Sequence, residues 1–166
     1  LEKDYGEAQK LCKSLTYSMY YNPNVKDPFW QNSAMSLVNA LILAILEECY
    51  KKYGEEEMKD RVTMFTVANM LSELGSAYDE EGNNELDKYF KNLPSNSIAK
   101  MQYATSNFAK GSARSGIFSV AMTELGKFTM EKIAKMTSRN SVNLKDFGFI
   151  NKEDDRPIAL FMILPD

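Results

Sequence analysis

The chain has 166 residues, 44% of them apolar and 11% aromatic, with a formal charge of -3 and only eight glycines and five prolines. That length and apolar content suit one domain with a sizeable core, and they exclude a chain disordered throughout or a turn-rich β-sandwich. Histidine is absent and the two cysteines, Cys12 and Cys49, have no C-x-x-C spacing, which excludes a zinc site and a His-based catalytic triad; the simplest reading of both thiols is reduced, buried helix residues, with a disulfide between two helices as the alternative.

The opening Leu-Glu-Lys-Asp run has no signal-peptide pattern. Tyr5, Ala8, Leu11, Cys12, Leu15 and Met19 recur at three- and four-residue spacing, predicting a first helix over 4–20 that ends at Asn22-Pro23-Asn24. Asp27 then reads as an N-cap with Pro28 in the first helical position, where a missing N–H costs nothing. The second helix is expected to run from there to Tyr53 and to stop at Gly54, with Phe29 and Trp30 anchoring it against the first. Residues 28–46 carry no charge, but Gln31, Asn32, Ser33, Ser36 and Asn39 interrupt the run and the dense apolar part, 37–46, is too short to span a bilayer. Apolar almost all round, this stretch predicts a buried hub helix surrounded by others.

Thr63 marks the next cap, for a helix to Ala77 with Val67, Ala68, Leu71 and Leu74 inward. A loop at 79–84 leads to a short helix over 85–93, after which Pro94 breaks the chain and Ser95 caps a helix carrying Ile98, Gln102, Tyr103 and Phe108. Lys110-Gly111 is another break. The helix after it, 112–127, is expected to bury Ile117, Val120, Ala121 and Leu125, and Thr129 to cap a last short helix through Met136. Residues 138–143 read as a loop and 151–155 as a charged linker into an apolar strand, 158–164.

The expected fold is therefore all-α: six or seven helices around a central buried helix, with one orphan C-terminal β-strand. Residues 1–150 form the helical domain and 151–166 the linker and strand. A lone strand cannot satisfy its own backbone groups, so the chain is expected to be a helical insertion within a larger α/β parent.

Two motifs are weighed and set aside. Gly111-Ser-Ala-Arg-Ser-Gly116 has the glycine spacing of a phosphate-binding P-loop, but Ile117 and Phe118 stand where the motif needs Lys and Ser or Thr. The strand ending at Asp166 imitates a magnesium-holding acid after a hydrophobic strand, against which Pro165 argues. No catalytic or metal-ligating constellation emerges. Charge is the better signal: residues 99–145 hold eight basic residues against two acidic, whereas 47–98 hold twelve acidic against six basic. The basic segment supplies the candidate partner-binding residues Lys100, Lys110, Arg114, Lys127, Lys132, Lys135 and Arg139, facing either phosphates or an acidic protein surface.

Three segments also carry a resemblance. Asp27-Pro-Phe-Trp-Gln-Asn-Ser-Ala-Met-Ser-Leu-Val-Asn-Ala-Leu-Ile-Leu43, Arg114-Ser-Gly-Ile-Phe-Ser-Val120 and Arg156-Pro-Ile-Ala-Leu-Phe-Met-Ile-Leu-Pro-Asp166 resemble, in order and spacing, segments of conjugative type IV secretion coupling proteins of the TraG/TraD class. One departure is Lys110-Gly111, where relatives often have Gly-Lys.

The resemblance implies a membrane-anchored, homo-hexameric RecA-like ATPase as parent, with the orphan strand belonging to its nucleotide-binding domain. ATP and magnesium would then be cofactors of the parent, held by motifs outside this chain, and the chain itself would need none and be non-catalytic. It implies a recognition role at the cytoplasmic face of the bacterial inner membrane, without direct membrane contact by this domain. The partners would be the relaxase and other relaxosome proteins, or single- or double-stranded DNA. Two alternatives are a structural insertion that sets hexamer geometry and the helical domain of another RecA-like DNA pump.

Overall fold

The computed structural model describes residues 5–58, 60–109, 111–139, 159 and 161. Its first helix, α1, spans Tyr5–Tyr20, within a residue of the expected bounds. Its buried stripe is Cys12, Thr16 and Tyr20, flanked by Tyr5 and Met19, whereas Leu11 and Leu15 are exposed. The inward face is thus turned from the expected one, because polar groups at the seam find partners. Asn39 Oδ1 on the next helix accepts from Cys12 Sγ at 3.1 Å and from Thr16 Oγ1 at 3.0 Å, and Tyr20 donates to the Ala121 carbonyl at 2.6 Å.

The second helix, α2, spans Phe29–Met58. Asp27 caps it, its carboxylate accepting from the Phe29 N–H at 3.0 Å while the Pro28 carbonyl takes the Asn32 N–H. Gly54, at φ 74°, breaks the helical path at the predicted stop, and a short helical piece continues to Met58. Only a residue without a Cβ adopts that φ readily. Every residue from Leu37 to Ile45 is buried, because α2 is enclosed by α1, α3 (Met64–Gly75), α5 (Ile98–Phe108) and α6 (Ser112–Leu125). This helix is long and apolar enough by composition to cross a membrane, yet its apolar surface is spent on the other helices.

The remaining elements are α4 (Glu85–Asn92), a 3-10 turn (Gly126–Thr129) and α7 (Glu131–Thr137). Thr63 caps α3 as expected. The cap of α5 is Ser97, not Ser95: the chain turns once more after Pro94, with the Ser97 N–H on the Pro94 carbonyl, before the helix starts. α7 starts without a side-chain cap, since Thr129 instead closes the 3-10 turn on the Gly126 carbonyl at 2.7 Å. Phe108 lies exposed at the end of α5.

Among the described residues all extended regular structure is helical, in seven α-helices, apart from an isolated bridge between Tyr78 and Asn84. Of the expected C-terminal strand only Ala159 and Phe161 are described, neither in a strand. The rest of that strand, its linker and the boundary at 150/151 lie outside the described residues.

Candidate partner-binding surface

The seven basic residues separate into three groups. Arg114 is not on the surface: only 6% exposed, it donates from Nη2 to the Asp87 carboxylate and, at 2.8 Å, to Tyr103 Oη, with its guanidinium over the Phe118 ring at 5.4 Å. Asp87 is in turn fixed by its capping box with Asn84, whose N–H it accepts at 2.9 Å, and by Tyr103 Oη at 2.9 Å. Arg114 therefore ties α6 to α4 and α5 inside the fold. Placement of this side chain at a partner-facing surface is corrected: helical periodicity turns it toward the same interior as Ile117 and Phe118, where Asp87 compensates its charge.

Lys100 has a structural task as well. Its Nζ donates to the carbonyls of Lys91 and Leu93, both at 2.7 Å, and so satisfies backbone acceptors at the C-terminus of α4. Lys110 lies outside the described residues.

The other four share one region. Lys127 in the 3-10 turn pairs with Glu124, and Lys135 on α7 pairs with Glu131 at 2.6 Å. Both are exposed pairs one turn apart, of the kind that contribute little to stability and exchange readily for an external anion. Lys132 and Arg139 are exposed and make no ion pair among the described residues. Lys132, Lys135 and Arg139 are spaced three and four apart, so on and just past α7 they present one basic stripe, with Met136, 72% exposed, beside it.

Lys127 also borders a cleft of about 620 Å³ between the α1–α2 connection and α6, lined by Tyr21, Val25 and Trp30. Tyr21 stacks on Tyr17 with centroids 4.4 Å apart, and Phe29 meets Trp30 edge to face at 5.2 Å. Phe29 and Trp30, expected to anchor α2 against α1, are instead 48% and 36% exposed. Trp30 lies over Gly116 of α6, where an added Cβ would be 2.7 Å from the ring. A cation next to partly exposed aromatic rings, as Lys127 is here, suits a flexible, negatively charged polymer, which supplies a phosphate for the cation and bases for the rings.

The match to known sequences decides the wider assignment: residues 3–165 match the family of type IV secretory system conjugative DNA transfer proteins. The chain belongs to that family. No curated protein and no solved structure matches it. The family match covers nearly the whole chain and supports the resemblance to conjugative coupling proteins read from the three segments. A role in conjugative DNA transfer follows, and an association with the secretion machinery at a membrane is suggested by the family.

Sequence reasoning missed the buried Asp87–Tyr103–Arg114 cluster. Half of it was legible, because Asn84-Glu-Leu-Asp87 has the spacing of a capping box. That Arg114 closes the cluster depends on how α6 packs, which no local spacing encodes.

Proposed function

We propose that this chain is the recognition part of a conjugative DNA-transfer coupling protein and is itself non-catalytic. The observation that carries the reading is the stripe of Lys132, Lys135 and Arg139 on and just past α7, which packs against the 3-10 turn of Lys127, in a chain whose family acts in conjugative DNA transfer. Its counterpart is DNA or an acidic face of a relaxosome protein. In this reading residues 1–150 are a helical insertion, and 151–166 return the chain to a hexameric, membrane-anchored parent that binds ATP and magnesium and faces the cytoplasm.

The combined variant Lys132→Ala, Lys135→Ala, Arg139→Ala tests it. All three side chains are exposed, so helicity and melting temperature should be kept while DNA transfer by the parent falls. Titrations with labelled single- and double-stranded DNA and with the cognate relaxase identify the counterpart. For DNA, each phosphate contact removed lowers the slope of log affinity on log salt by about one. Normal transfer with normal partner binding in the triple variant would remove this surface from consideration.

A further inference from the structure

The cleft between the α1–α2 connection and α6 holds its aromatic rings in fixed positions. Tyr21, 47% exposed, is backed by its stack on Tyr17. Trp30 is held by Gly116 against its six-membered ring and by Phe29 edge to face, and still leaves part of its surface open. A ring that is already immobilised and still open to solvent loses little freedom when a second planar group stacks on it.

An independent observation lies in the same wall. Gln31 lines the cleft and is only 8% exposed. Its Oε1 accepts the Asn22 N–H at 3.0 Å, a bond that only the carbonyl oxygen of the amide can make, so Nε2 is the outward atom. Nε2 has no acceptor among the described residues, yet unlike Ser106 Oγ and Arg114 Nε it is not shut off from solvent. Lys127 and Glu124 also border the cleft and pair with each other, so together they bring it no net charge. Fixed rings, an oriented amide donor and balanced charge suit an uncharged planar group with an acceptor on its edge. Phenylalanine and tryptophan side chains are planar without that acceptor, and a carboxylate brings an unbalanced charge. A nucleobase is neutral and has both the face and the edge.

We propose that the Trp30 cleft is a nucleobase site, in which one unpaired base stacks on the exposed aromatic rings and accepts a hydrogen bond from Gln31 Nε2. The proposal rests on the reading of this chain as a recognition part facing DNA, and narrows it. A base inside a duplex has both faces covered by its neighbours, so the strand that this cleft takes is single. Each of the four bases carries an edge acceptor, so one donor orders a strand without specifying its sequence. The phosphates of that strand meet the exposed cations outside the cleft, because α7, with Lys132 and Lys135, packs on the 3-10 turn that carries Lys127.

Trp30 is the chain's single tryptophan, so its fluorescence reports on this cleft directly. The chain is titrated with oligothymidylate, an abasic strand of equal length, the duplex of oligothymidylate with oligoadenylate, and an acidic peptide, while anisotropy of the labelled probes follows binding separately. Oligothymidylate should quench the emission saturably, by about twofold, whereas the abasic strand, the duplex and the peptide should leave it unchanged even where they bind. Gln31→Glu keeps the acceptor for the Asn22 N–H and removes the donor, and Tyr21→Ala removes an exposed ring with little change in melting temperature; each should weaken oligothymidylate binding roughly tenfold. The triple α7 variant should lower the affinity and keep the quenching at saturation, which separates the cleft from the basic stripe. Oligothymidylate binding without quenching, equal quenching by the abasic strand or the duplex, or undiminished binding in Tyr21→Ala would overturn the cleft and leave the stripe standing. Quenching by the acidic peptide would assign the cleft to a protein instead, and failure of every nucleic acid to bind would overturn both the cleft and DNA as the counterpart.

Discussion

Arg114 occupies the first turn of α6, where the positive end of the helix disfavours a cation, yet it is among the most buried polar residues of the chain. Asp87 compensates it, so the two must be judged together: removing only the arginine leaves a buried carboxylate without its counter-charge. Arg114→Leu is expected to cost about 3–5 kcal/mol, measured by urea denaturation, whereas changing Asp87 to Asn at the same time should recover part of the loss. Trp30 shows the same dependence on a neighbour. Its ring lies on Gly116, so Gly116→Ala must push the ring outward, and the emission of the chain's single tryptophan should shift to the red. Because the ring is already partly exposed, Trp30→Ala should cost less than the roughly 3–5 kcal/mol of a fully buried aromatic. A drop as large as that in the denaturation free energy would contradict the packing described.

Helix starts carry much of the local specification. Asp27, Thr63, Asn84 and Ser97 each accept a backbone N–H at a helix start, and at Asn84 the bond is reciprocated by Asp87. Asn84→Ala removes one bond of the box and an amide that reaches the Gly75 carbonyl, and should destabilise by about 1–2 kcal/mol, read as a lower urea midpoint. Ser95→Ala, two residues upstream of the true cap of α5, should change the midpoint little. Comparing it with Ser97→Ala therefore tests where α5 begins. At this scale the sequence was readable where a cap residue precedes a periodic apolar run, as at Asp27 and Thr63. It misled where two serines compete within a turn, since both satisfy the same local pattern and only the Pro94 turn selects between them.

In the assembled domain the helices close over groups that must stay neutral. Burial raises the pKa of Tyr5, Tyr20, Tyr89 and Tyr103, and pushes the Cys12 thiol up to about 12. Each ionises more readily unfolded than folded, so their stabilising contribution is complete below about pH 9 and is lost as pH rises toward 12. Equilibrium unfolding measured from pH 8 to 11 should show stability falling steadily, and Cys12 should resist alkylation until the chain unfolds; stability constant across that range would contradict the burial of these hydroxyls. The sequence by itself determined the all-helical class, the hub role of α2 and the stops at Asn22–Asn24 and Gly54, because periodicity, capping and glycine conformation act over a few residues. It also carried the three segments that the family match supports. Only the tertiary structure decided which basic residues reach solvent: Arg114 and Lys127 look alike in a charge count, yet one pairs with Asp87 in the interior and the other with Glu124 at the rim of a cleft. The physical reason is that a helix fixes the relative directions of its own side chains, while the rotation of that helix against its neighbours is set by the burial and hydrogen bonding of residues far away in the sequence.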